Sequence, residues 1–221
     1  MRAEDSVEKA SDAFGEKLKY YTAKYPFTIG QKFNSIGQKP SLPKDKVEIL
    51  SSTDGLFRIY SWDVHSEGTM KGFENCIQYK TGSKTHSVVL ITDTASNHMD
   101  KYVYYYSNLY TLKANNKTYY LAVYSGVYCS TCVGEGIQVF ALEGGRLNDD
   151  VKLIQTETGL HSQLYYEYNW GSVAYWKVRP EIRFDAATRT IRLPLVAEKE
   201  KMTHKYITYR FTGHYFEKVK N

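Results

Sequence analysis

YVYYYSNLYTLKANNKTYYLAVYSGVYCSTCVGEGIQVF, residues 102–140, is dense in the aromatic and β-branched residues that suit a pleated, half-buried surface. Asn115-Asn116 and the glycines that follow interrupt it where a chain would reverse. The stretch reads as antiparallel strands at the centre of an all-β domain. Working outward, Asp54-Gly55 between VEIL and LFRIYSW marks a first hairpin near 47–62. Further strands are expected at 74–80, 84–92, 101–112, 118–125, 136–142, 151–155, 163–169, 181–185, 190–196, 205–211 and 214–219. Thr81-Gly82-Ser83, Gly144-Gly145, Asp185 to Thr188 and Thr212-Gly213 supply turns short enough to join neighbouring antiparallel strands.

The expected fold is therefore all-β with an N-terminal helix, the strands forming a long antiparallel meander. CIQYKTGSK from 76, GIQVFALEGGR from 136 and YITYRFTGH from 206 share a strand followed by a glycine turn. If these are true repeats, a propeller-like array of small sheets is the natural architecture; a two-sheet sandwich or open barrel accommodates the same strands.

Ahead of the strands, residues 4–25 place Val7, Ala10, Phe14, Leu18 and Tyr21 three or four apart, along one face of a helix that ends before Pro26. Gly15 weakens that helix by roughly 1 kcal/mol relative to Ala. Gly, Pro, Ser and Lys dominate from Pro26 to Pro43, an irregular linker covering an edge. Residues 1–46 thus form a helix with its linker, and 47–221 a single β domain.

Composition narrows the function classes. Tyrosine, at 21 against 9 Phe and 3 Trp, supplies rings with a hydroxyl, suited to half-exposed sheet faces and wet binding surfaces. The net charge of +5 is spread over single lysines in turns and strands, without the clustered stripe that nucleic-acid binding needs. No run of 18 apolar residues spans a membrane. The start Met1-Arg2-Ala3-Glu4-Asp5 leads straight into polar sequence without a signal-peptide pattern, which leaves a cytosolic protein or a mature secreted chain with an added methionine. The Ala-Glu-Asp-Ser start, the Tyr- and Thr-rich strands and two close cysteines favour a secreted or periplasmic location.

Cys129-Ser130-Thr131-Cys132 and its flank read C-x-x-C-x-G-x-G, an octapeptide that resembles the zinc-binding repeat of DnaJ-type chaperones, where several copies pair to make four-sulfur sites. That resemblance implies zinc ligation by Cys129 and Cys132; a tetrahedral site needs four ligands, for which Cys76 and a histidine such as His86 are the candidates to complete the set. Redox work would instead want the pair at a helix N-terminus, whereas here Gly134, Gly136 and the strand IQVF follow. The third reading is structural, as two reduced cysteines or a small disulfide loop.

The histidines at 65, 86, 98, 161, 204 and 214 show no metal spacing, and no nucleophile-elbow glycine pattern is present. No cofactor is expected. A glycosidase needs two carboxylates and aromatic faces, and Tyr60 to Asp63 and Tyr165 to Trp170 are where such groups meet. Alternation puts Tyr165, Glu167 and Asn169 on one face and Tyr166, Tyr168 and Trp170 on the other. The long connections Asp63–Gly72 and Asp93–Asp100, with the 125–136 turn, are the expected functional surface. The leading expectation is a non-enzymatic extracytoplasmic protein that binds a protein or glycan through Trp62, Asp63, His65, Tyr128, Tyr166, Glu167 and Trp170. The rivals are a carbohydrate-active hydrolase using carboxylates such as Asp63 and Glu167, and a zinc- or redox-dependent protein built on the cysteines.

Overall fold

The computed structural model of the chain describes residues 3–31, 47–64, 72–90 and 104–220. These divide into two compact units, Met1–Ser107 and Asn108–Asn221. Among the described residues no helix is long and apolar enough to cross a membrane.

In the first unit, helix α1 (Ala3–Lys24) packs on an antiparallel sheet of β1 (Val47–Ser51), β2 (Phe57–Asp63), β3 (Phe73–Thr81) and β4 (Lys84–Leu90), paired in that order. Of the expected stripe, Leu18 faces the sheet while Ala10 and Tyr21 stay exposed, and Ser11, Gly15 and Thr22 complete the inward face. The physical reason lies underneath. Tyr60 and Trp62 of β2 already fill the interface with rings, so the helix must approach with small residues. A Cβ at Gly15 would lie 3.2 Å from Trp62 Cζ2. The residue that weakens the helix locally is thus the one that lets it dock. Phe14 meets the same indole edge-on, with centroids 5.2 Å apart.

The second unit begins within β5 (Tyr104–Ala114) and continues through β6 (Lys117–Val127), β7 (Cys132–Glu143), β8 (Arg146–Asn148), β9 (Ile154–Thr156), β10 (Gly159–His161), β11 (Gln163–Asn169), β12 (Arg183–Asp185), β13 (Thr190–Ala197), β14 (Lys201–Phe211) and β15 (Phe216–Lys218). One sheet runs β11-β7-β6-β5 with β8 on β7; the other runs β10-β9-β15-β14-β13-β12. Leu121, Val123, Ile137 and Val139 of the first share a core with Ile191, Leu193, Phe211 and Phe216 of the second. Burying that many apolar side chains between two layers is what stabilises the unit. Here the packing is that of the sandwich alternative, two sheets across one core, and among the described residues no sheet closes into a barrel.

The all-β, helix-led class of small antiparallel sheets stands as read from sequence, with local corrections. Phe216 of β15 bridges Ile154 of β9 in parallel, the one departure from antiparallel pairing among the described strands. Strand β7 starts at Cys132 rather than 136, so the expected 125–136 turn shrinks to residues 128–131. Gly134 and Gly136 are not breaks. They sit inside the strand because the rings of Tyr128 and Tyr165 cross the first and that of Tyr124 the second, leaving no room for a side chain. Each of the three similar segments ends in a glycine turn with positive φ, Gly82 at 59°, Gly144 at 57° and Gly213 at 105°, one hairpin in each sheet.

Candidate functional site

In the second unit, the segment after β11 leaves the sheet. Asn169 Oδ1 accepts from Gly171 N at 2.8 Å and starts a 3-10 turn over Trp170–Ser172. Ser172 Oγ accepts from Met202 N at 3.2 Å, and Val173 is buried against Val133, Tyr168 and Met202. A second anchor is buried Ile182. Between these anchors the chain carries apolar side chains outward: Tyr175 is 96% exposed and Val178 73%.

Behind this segment lies a buried acid. Glu135 on β7 is only 4% exposed. Its Oε2 accepts from Tyr166 Oη at 2.5 Å and its Oε1 from Tyr168 Oη at 3.3 Å. Arg179 Nη2 lies 3.1 Å from Oε1, and Arg179 Nη1 donates to Tyr168 Oη at 2.5 Å. Burial pushes the Glu135 carboxyl above the usual carboxylate range, against the opposing pull of the Arg179 charge and the two tyrosine hydroxyls. Burial, and then the charge of Glu135, push the Tyr166 phenol upward as well. Glu135 is thus committed to holding Arg179, whose guanidinium lies 5.5 Å from the Trp170 ring centroid and 5.8 Å from that of Tyr168.

Arg179 also lines a cleft of about 520 Å³, together with Trp176, Lys177, Val178, Pro180, Arg183, His204 and Tyr206. Trp176 stacks on His204 with centroids 4.0 Å apart and planes 15° from parallel. Tyr206 carries Arg192 over its ring at 5.4 Å. Among the described residues no carboxylate lines the cleft, although Glu181 sits 3.7 Å from Arg183. Stacked rings beside several cations suit a ligand that is flat or ring-shaped and negatively charged.

The residues expected from sequence are distributed differently. Trp62 is buried beneath α1, with its Nε1 donating to Ser11 Oγ at 3.0 Å. Asp63 ends β2 in the same unit, and His65 lies outside the described residues, as do 65–71 and 93–100 of the two long connections. Tyr128 and Glu167 come together on the outer face of β7 and β11, each hydrogen-bonded to the Tyr165 hydroxyl, at 2.8 Å for Glu167. Tyr166 faces the opposite way, toward Glu135. The alternation read for this strand holds through Tyr168; Trp170 leaves it, because the chain there winds into the 3-10 turn. Cys129 and Cys132 are bonded to each other. Cys76 is buried against Tyr60 and Trp62, and burial pushes its thiol up to about 12. His86 stacks on Tyr79. Among the described residues no group of three or more His, Cys, Asp or Glu is placed to hold a metal ion.

Sequence reading missed Glu135, Trp176, Arg179 and His204. One signal was available: an acid between two glycines of a strand otherwise apolar demands a buried partner. Nothing in the sequence pointed to Arg179 as that partner. In comparisons with known proteins, the chain matches no family model, no curated protein and no solved structure.

Proposed function

We propose that this chain is a non-enzymatic, extracytoplasmic binding protein that takes an acidic glycan in the cleft of Trp176, Arg183 and His204. The observation that carries this reading is the convergence of Trp176 and Tyr206 with Lys177, Arg179 and Arg183 on one cavity of about 520 Å³, within the range of small-ligand sites. Aromatic faces offer the apolar side of a sugar ring a surface, and guanidinium groups pair with uronate or sulfate oxygens. Arg179 is set in advance by Glu135, so less ordering is needed on binding. The Cys129–Cys132 disulfide supports an oxidising compartment.

Exposed Tyr175 and Val178 favour a second reading, in which the rim seats a protein partner. The hydrolase reading draws no support from the cleft, since no paired carboxylates are among its described lining residues. Titration calorimetry with an oligogalacturonate and a neutral oligosaccharide of equal length tests the proposal. Binding of the acidic sugar alone, weakened at least tenfold by Trp176→Ala or Arg183→Ala, is the expected result. Equal binding of both sugars, binding of neither, or turnover lost in Asp63→Asn or Glu167→Gln would discard it.

A further inference from the structure

The hairpin between β6 and β7 reverses over residues 128–131 and carries the Cys129–Cys132 disulfide at its tip. Ser130 and Thr131, between the sulfurs, are exposed, and the cysteines themselves are partly so. The two sulfurs differ sharply in what surrounds them. Cys129 Sγ accepts from the backbone N–H of Cys132 at 3.0 Å and from that of Thr131 at 3.4 Å, with the Thr131 hydroxyl 3.6 Å away. Among the described residues, none donates to Cys132 Sγ.

Two amides converging on one atom form a small anion-binding concavity, which does for a thiolate what a helix N-terminus does elsewhere. The strand that follows Cys132 therefore does not remove the means of activating Cys129. We propose that this disulfide is a thiol-exchange site and that Cys129 is the sulfur that carries the mixed disulfide. The proposal does not rest on what the cleft binds.

The exchange partner is a dithiol. One of its thiolates attacks Cys129 Sγ; the Cys129–Cys132 bond breaks, and Cys132 leaves as a thiolate that takes a proton from water. The second thiol of the partner, deprotonated, then attacks the partner sulfur of the mixed disulfide. The partner is left oxidised to its own disulfide, and Cys129 departs as the thiolate that the two amides stabilise. The protein disulfide gains two electrons, the dithiol loses two, and every step runs in reverse when the partner arrives oxidised. A leaving thiolate held by two amide hydrogen bonds departs faster, which is the kinetic advantage of the arrangement. Cys76 does not compete, being buried in the first unit.

The full chain, oxidised and folded, is treated with dithiothreitol and its thiols counted by mass. After reoxidation with glutathione disulfide and an acid quench, peptide mapping locates the glutathione adduct. The wild-type adduct is expected on Cys129. In Cys132→Ser, Cys129 is expected to form the adduct at pH 7 at least tenfold faster than Cys132 does in Cys129→Ser. An adduct on Cys132, equal rates in the two variants, or a disulfide that resists dithiothreitol until the protein unfolds would overturn the proposal. Because the wild-type mapping needs no substitution, misfolding of either variant leaves the test intact.

Discussion

A buried polar network of the first unit and one of the second end in different ways. In the first, Gln78 is fully buried; its Oε1 accepts from Tyr60 Oη at 2.8 Å, and its Nε2 donates to Thr22 O at 2.8 Å and Thr28 Oγ1 at 2.6 Å. Beside it Arg58 donates to Ser51 Oγ at 2.8 Å and to the carbonyls of Thr28 and Gln31 at 2.6 Å each. These bonds stitch the end of α1 and the following 3-10 turn to the sheet. They close upon backbone and neighbouring hydroxyls, so the network is fastening. In the second unit the network of Glu135, Tyr166 and Tyr168 ends on Arg179, which opens onto a cleft. The contrast teaches that a buried polar group is not by itself a sign of a site; what matters is whether its last member faces solvent in a cavity.

The sharpest way to break this contrast is Arg179→Met. It leaves the Glu135 carboxylate buried without its ion pair, so a loss of about 3 kcal/mol is expected from urea unfolding at neutral pH. The loss shrinks in acid, where Glu135 protonates. A change below about 0.5 kcal/mol at neutral pH would mean that Arg179 is only a surface residue.

Gln78→Leu tests the other side. It removes the acceptor of the Tyr60 hydroxyl proton and a donor to the Thr22 carbonyl, and about 2 kcal/mol should be lost. Amide exchange should speed first at the end of α1, while affinity at the cleft stays unchanged. Altered ligand affinity would show that Gln78 does more than fasten.

The smallest effect is a pH slope. The folded-state pKa of Glu135 is raised, so the native chain binds its proton more tightly than the unfolded chain does. Its contribution to stability is fully present below the unfolded carboxylate value and is lost as pH rises through the folded value. Each tenfold difference in proton affinity between the folded and unfolded chain is worth about 1.4 kcal/mol. Glu135→Gln removes that slope in unfolding curves measured from mildly acidic to neutral pH; an unchanged slope would assign it to another group.

Much of the fold was legible because its cause is local. Alternation in Tyr165 to Tyr168, the Asp54-Gly55 hairpin and the glycine turns act within a few residues, and the structure keeps them. Where the reading failed, a distant ring was responsible. Gly15, Gly134 and Gly136 look like weak points in sequence, yet Trp62, Tyr128, Tyr165 and Tyr124 occupy the space that side chains there would need. The inward face of α1 was legible only in part, at Leu18 and Phe14 but not at Ser11, Gly15 and Thr22, since the bulk it meets comes from β2.

By itself the sequence determined the class: strands from their period of two, turns from residues that tolerate positive φ, and an N-terminal helix ended near Pro26. Tertiary structure alone decided the candidate site. Glu135, Trp176, Arg179 and His204 come from a central strand, an irregular crossing segment and a strand of the opposite sheet. Their meeting depends on how two sheets share a core, and no pattern confined to neighbouring residues encodes it.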